Sequence, residues 1–298
     1  MPNIPVSSLY VIMGVTNFGN FHKVIAKIWN TYDKADFKKW EIIATKNGDI
    51  SKTKSSKEQL EHIQKKLKID VNQYLVDCHK TNCKNELVNK QANIIKTLTR
   101  GISTDATNKE EIEKMKNDIT RLVKDNTNTT FGNKHENSAI SKFEKETQIK
   151  VINQQKRFNN LIDTNNGIEW RIVGVVDGFT ETGEIVEIKN RVSNISKNPI
   201  LRNYEKPQIM TYMWLSNSKN GYLVENYKVK GNDEIRIIPV QYQEDYFEKD
   251  VVPAISKFIK FFNMFIKSDS MKELVIRGED KLIYNEYIEF IQFKAILN

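Results

Sequence analysis

Cysteine is nearly missing from this chain. Cys78 and Cys83 are its only two among 298 residues. That excludes a disulfide-stapled scaffold and suits a reducing, intracellular compartment. A zinc site needs four ligands at suitable spacing, and no second Cys/His pair stands near Cys78, His79 and Cys83. These three read as structural residues. No run of about 18 apolar residues occurs, so no membrane span is expected. The opening MPNIPVSSLYVIMG has neither the basic start of a signal peptide nor the Arg-rich amphipathicity of a transit peptide, so secretion is not expected.

What is abundant is positive charge. The formal net charge is +8, which favours a polyanionic partner, although a lysine-rich surface gives the same balance. With 39% hydrophobic residues the chain can build a core, and its length allows one large domain or two small ones.

The chain is organised around residues 170–191, WRIVGVVDGFTETGEIVEIKNR. Residues 171–177 and 185–189 read as two short strands. Residues 180–183 between them form a turn in which Gly183 is free to take positive φ. Asp177 closes the first strand, and Glu187 and Lys189 lie inside the second. Side chains two apart in a strand share a face, so these two point the same way, and the hairpin can bring Asp177 beside them. Two acids and a lysine on an apolar hairpin cost desolvation energy unless a cation or substrate uses them. The plain alternative is a solvated face with an ion pair contributing less than ~1 kcal/mol.

Other segments fall around this hairpin. Val24, Ile25, Ile28 and Trp29 have helical spacing and read as core. Residues 57–67 and 71–88 read as helices. Ile112, Met115, Ile119 and Leu122 suggest a surface helix. The run at 125–130, DNTNTT, reads as a linker and sets an expected boundary: a mainly helical region 1–128, then a core 129–298. In FGNKHENSAISKFEKET, Glu136, Ala139, Ile140 and Phe143 share one helical face. Asn133 as N-cap with Glu136 three residues on would make a capping box. His135 reads as a surface residue or a DNA contact. Residues 150–158, KVINQQKRF, read as one strand. Pro207 suits a first helical turn, and Gln208 and Tyr212 are i, i+4 neighbours, either exposed or functional. Residues 221–227 and 234–240 read as a hairpin turning at Gly231. Residues 242–267 read as an amphipathic helix, and 271–298 as one or two packing helices.

Asp177, nine residues, then Glu187-Ile188-Lys189 resembles the signature of the PD-(D/E)xK nucleases. Gly132, Glu136, Ala139, Phe143 and Glu144 resemble the G-x3-E-x2-A-x3-(Y/F)-E segment of lambda-exonuclease-like and YqaJ-type viral recombinase nucleases. Gly174 and Gly178 around Asp177 match G-x-x-D-G, and Gln208 with Tyr212 and Met213 matches Q-x-x-x-Y-M. The resemblance covers about residues 130–240, a stretch that mitochondrial genome maintenance exonucleases also resemble. It implies an α+β fold: a restriction-endonuclease-like core with a central mixed sheet flanked by helices, here with a helical N-terminal region added.

The same resemblance implies a Mg²⁺-dependent deoxyribonuclease, with Mn²⁺ as a substitute. One or two ions would be held by Asp177, Glu187 and the Ile188 carbonyl, with Glu136 holding a second ion or orienting the attacking water. Lys189 would orient that water and offset transition-state charge. It could act as a base only if its pKa were lowered. Gln208 and Tyr212 would position the scissile phosphate. Arg100, Lys134, Asn190, Arg191, Lys197, Arg202 and Lys206 are candidate DNA contacts. The expected partner is duplex DNA with free ends, beside a single-strand annealing or replication protein, with homo-oligomerisation as in lambda-type rings. Some relatives carry an iron–sulfur cluster on four cysteines, a cluster two cysteines cannot build. An exonuclease is the leading reading. A structure-specific endonuclease and a non-catalytic DNA-binding protein are the alternatives.

Overall fold

The computed structural model describes residues 1–298 apart from 16–19, 46–49, 68–74, 79, 82, 101–108, 192–199, 230–231 and 297–298. The fold is α+β, a curled mixed sheet flanked by helices. Among the described residues, eight strands form two groups. β1 (Asn3–Pro5), β4 (Ile168–Val176) and β3 (Lys156–Asn165) make the first, in the order β1-β4-β3. β2 (Val151–Ile152), β5 (Gly178–Thr180), β6 (Ile185–Arg191), β7 (Asn220–Val229) and β8 (Asn232–Gln241) make the second, in that order. Asp177 is the residue at which the chain leaves β4 and enters β5, so it stands where the two groups meet. β6 and β7 are parallel, in register from Ile185↔Gly221 to Arg191↔Tyr227. Their crossover carries helix α7 (Lys206–Ser216), with a proline in its first turn. A parallel pair needs such a crossover, and it lays α7 against the sheet directly over β6.

The helices follow their apolar stripes. On α2 (Phe21–Tyr32) the spaced residues Phe21, Val24, Ile25, Ile28 and Trp29 are all buried. They pack with Phe258, Phe262 and Phe265 of α8 (Val252–Phe265) and with Trp170 of β4. The first residues thus belong to the main core: β1 pairs in parallel with β4, and Ile4, Val6 and Leu9 are fully buried beneath α7. α9 (Asp269–Arg277) and α10 (Asp280–Ile296) close that core, as the tail pattern suggested.

A second cluster joins α4 (Ser56–Leu67), α5 (Lys84–Arg100) and the first half of α6 (Lys109–Thr147) through Leu60, Leu87, Ile94, Leu98, Ile119, Leu122 and Val123. Cys78 packs there too, and burial pushes its thiol up to about 11, as suits a structural cysteine. A third cluster sets Ala139, Ile140 and Phe143 of the second half of α6 on Val186 and Ile188 of β6.

Five expectations are corrected here. Residues 125–130 are not a linker but the middle of α6, a single helix of 39 residues. The Thr127, Thr129 and Thr130 hydroxyls donate to carbonyls four residues back, and Gln91 of α5 bonds Thr127 and Asn128, so the threonines and Asn128 find partners in α6 or α5. Asn133 is therefore no N-cap. The helix carrying Ile119 and Leu122 is a packing helix, both residues being fully buried. KVINQQKRF is two strands, broken at Asn153 and Gln155, both with positive φ. His135 is buried, its ring 4.4 Å from that of Phe131. His79 and the Gly231 turn lie outside the described residues. Among the described residues, no helix is long and apolar enough to cross a membrane.

Candidate active site

β6 alternates strictly. Val186 and Ile188 face α6, and Asn190 on the same side donates to the Gly132 carbonyl at 2.7 Å. Glu187, Lys189 and Arg191 point to the opposite side, toward α7. The local pattern therefore places a carboxylate and a lysine side by side beneath the crossover helix, as expected of residues two apart.

Glu187 is 4% exposed and central to the cluster. Its Oε1 accepts from Lys189 Nζ at 2.7 Å and from Gln208 Nε2 at 2.8 Å. Lys189 Nζ also donates to Gln208 Oε1 at 3.1 Å, so acid, lysine and amide form a closed triangle. Glu187 Oε2 is buried without a hydrogen-bond partner. Asp177 Oδ2 accepts from the Ile188 amide at 2.7 Å, which ties the kink between β4 and β5 to the Glu-x-Lys strand.

The two glycines beside Asp177 have steric duties. A Cβ on Gly174 would lie 2.5 Å from Tyr212 Cε1, and one on Gly178 would collide with Val151. The first lets the Tyr212 ring settle on β4; the second lets β2 approach β5. The Gly183 turn has φ +91°, as the sequence required.

Burial, and after it charge repulsion, raises the acids. Burial first, then Glu187, and then Glu136 hold the Asp177 carboxyl well above its ordinary range, against the Ile188 hydrogen bond and Lys189. Glu136 is raised by burial and by Glu187, against a hydrogen bond from Gln155. Lys189 behaves in the opposite sense. Burial disfavours its ammonium, but Glu187, Asp177 and Glu205 outweigh that, and its pKa is raised. Lys189 is thus held protonated, a donor rather than a base. Burial, then Glu187, lift the Tyr212 phenol above its usual value, so it too keeps its proton.

One contributor escaped sequence reasoning. Gln155 Nε2 donates to Glu136 Oε1 at 2.5 Å, and its backbone N–H donates to the Asp177 carbonyl at 3.3 Å. Its φ is 58°, a conformation costly for a residue other than Gly, Asn or Asp. The polar triplet NQQ inside an apparent strand was the available signal for this turn.

The candidate DNA contacts are dispersed. Arg100 is exposed at the end of α5. Lys134 lies 3.3 Å from the Thr81 carbonyl. Asn190 also accepts from Asn226 at 2.7 Å. Arg191 is turned inward onto Glu205 and Glu225. Arg202 donates to the Tyr204 hydroxyl at 2.7 Å. Lys206 sits 4.0 Å over the Tyr246 ring. Lys197 lies outside the described residues.

The fit to a metal ion can be examined on the acids themselves. Among the described residues, no three His, Cys, Asp or Glu side chains are grouped closely enough to form a ready-made cage. What stands there is a pair of mutually repelling carboxylates, Asp177 and Glu187, one with an orphaned buried oxygen. Such an oxygen-only, incomplete donor set suits a hard divalent ion that keeps several waters.

A profile of the YqaJ-like viral recombinase domain matches residues 42–219, more than half of the chain and further toward the N-terminus than the motifs alone reach. Comparison with curated proteins gives no match. Among solved structures, a phage-related exonuclease from Haemophilus somnus 129PT shares 14% identity at a TM-score of 0.38, over 89% of this chain and 95% of that one. An alkaline exonuclease from Laribacter hongkongensis shares 14% at 0.35, over 70% and 91%. The structure of SSO0001 shares 18% at 0.36, over 51% and 67%.

Proposed function

Because the chain belongs to the YqaJ-like viral recombinase domain family, we propose that it is a Mg²⁺-dependent deoxyribonuclease, an exonuclease of DNA recombination, repair or replication. The observation that carries this reading is the triangle of Glu187, Lys189 and Gln208 beside Asp177, with the Glu187 Oε2 atom left without a partner. Such a cluster is expensive as mere structure and well suited to an anionic substrate and a cation.

Asp177 and Glu187, with the Ile188 carbonyl, would hold the ion, and Glu136 would take a second one or orient the attacking water. When bound, Mg²⁺ (or Mn²⁺) would neutralise the phosphodiester and polarise its reacting oxygens. Lys189, fixed as an ammonium between Glu187 and Gln208, directs positive charge to the phosphate as negative charge grows there. Gln208 holds Lys189 and Glu187 in one geometry. Tyr212, kept protonated, offers a hydroxyl donor. Gln155 aims Glu136.

This last role gives a sharp expectation. Gln155→Gly should lower turnover about three- to tenfold without lowering Tm, since glycine adopts positive φ at no steric cost. Tm from thermal unfolding and kcat measured on one preparation check it. A Tm loss with unchanged kcat would make Gln155 purely structural.

The function itself is tested on matched linear and covalently closed circular duplexes, each with Mg²⁺ or EDTA. Mg²⁺-dependent loss of the linear DNA alone is the expected result, and an end label reports polarity. Attack on the circle would replace the exonuclease reading with an endonuclease. Cleavage of neither, with DNA bound, would leave a DNA-binding protein.

A further inference from the structure

Beside the triangle lies a second buried charge cluster that the reaction does not itself require. Arg191 follows Lys189 by two residues on the same face of β6. Its Nε and Nη2 lie 2.8 and 2.7 Å from Glu225 Oε1, and Nη2 also bonds Glu205 Oε1. Glu205 and Glu225 are each 3% exposed in their side chains, and Arg191 is 11% exposed. Tyr227 donates to Glu225 Oε2 at 2.7 Å, and Arg202 stands 3.6 Å from Glu225 Oε1. Two carboxylates and a guanidinium removed from water are a poor source of stability compared with apolar packing, so their placement calls for another explanation.

The elements they join supply it. Glu225 is on β7, the register partner of Lys189. Glu205 is the N-cap residue of α7, and its carbonyl receives the Ile209 amide at 3.0 Å. Arg191 therefore ties the start of the helix that carries Gln208 and Tyr212 to the two strands that carry Glu187, Lys189 and Glu225. A guanidinium suits this task, because its planar fork serves two carboxylates in fixed directions while an ammonium is a point charge. The same commitment gives Arg191 Nε and Nη2 to carboxylates and not to a DNA phosphate.

We infer that Arg191, Glu205 and Glu225 form a positioning clamp that sets helix α7 on strand β6, so that Gln208 meets Glu187 and Lys189 in working register. Arg191 thereby acts through the triangle and not on DNA. For its activity arm the inference rests on the proposed nuclease reading.

Glu205→Gln tests it in the full chain. The substitution keeps an oxygen acceptor and leaves Arg191 balanced by Glu225, so folding should survive. The expected result is a fall in kcat of about tenfold, the scale of small misplacements in an active site. DNA affinity and the slope of log K against log salt stay unchanged, because no phosphate contact is lost. Amide exchange over residues 206–212 rises about tenfold, reporting a looser helix start. Arg191→Lys, which keeps the charge but not the fork, should repeat the pattern. A weaker DNA affinity with a salt slope smaller by about one would make Arg191 a phosphate contact and overturn the clamp. Unchanged kcat with unchanged exchange would overturn it as well. If the wild-type chain cuts no DNA, the nuclease reading fails by itself, and the exchange of residues 206–212 still decides the clamp.

Discussion

Lys189→Ala is expected to reduce DNA cleavage about a thousandfold, the equivalent of about 4 kcal/mol of transition-state stabilisation. Lys189 is held as an ammonium by Glu187 and Asp177 despite its part-buried position. It is therefore available for charge stabilisation and not for proton abstraction. Its Nζ is fixed by Glu187 at 2.7 Å and by Gln208 at 3.1 Å, so little reorganisation is needed when phosphate charge grows. Alanine removes this cation and leaves the site as a whole more negative. Mg²⁺ affinity, measured by calorimetry on the same variant, should hold or tighten while turnover collapses. That split separates a catalytic cation from a ligand or a structural residue. Undiminished cleavage by a clean preparation of the variant would sink the site assignment.

Asp177→Asn should abolish Mg²⁺-dependent cleavage and yet stabilise the metal-free protein. The sign follows from the raised pKa. Folded Asp177 holds its proton more tightly than the unfolded chain does, because burial, Glu187 and Glu136 oppose its charge. The stability it contributes is present below the ordinary aspartate value and is lost as pH rises through the folded value. At neutral pH without metal, Asp177 should therefore be destabilising. Asparagine removes that cost and can still accept the Ile188 amide. In EDTA at pH 7, Tm should be higher than in wild type, and the difference should vanish as pH falls to the ordinary aspartate range. Mg²⁺ should raise Tm in wild type only. Protons also compete for the raised Asp177 and Glu136 carboxyls, so Mg²⁺ affinity should weaken on acidification earlier than unperturbed carboxylates would allow. A variant less stable in EDTA, or one still cutting DNA at the wild-type rate, contradicts this account.

Much of the candidate site could be read from residue order because its parts obey local rules. The alternation of β6 puts Glu187, Lys189 and Arg191 on one face whatever surrounds them. Gly183 makes its turn by itself, and Pro207 starts α7 by itself. Gly174 and Gly178 could be read only as a pattern. Their reason, the ring of Tyr212 and the side chain of Val151, comes from elements distant in sequence. Asn166-Gly167, both at positive φ between β3 and β4, carries a hairpin signal in its own two residues.

Other features depended on what met in space. The run DNTNTT has turn composition, yet it is helix, with its Thr hydroxyls bonded to carbonyls of its own turns and Gln91 of α5 bonded to Thr127 and Asn128. KVINQQKRF has strand composition, and it divided because its two ends joined different strand groups. Asn3, Ile4 and Pro5 gave no sign that they would pair with Arg171, Ile172 and Val173. Arg191 looked like a phosphate contact because charge and position in the chain say nothing of partner. Only the approach of Glu205 and Glu225 turned it inward. Periodicity, turn chemistry and the order of the acids are properties of neighbouring residues, and the chain alone carries them. Partners, burial and pKa are properties of groups brought together from afar, and they exist only once the helices have closed over the sheet.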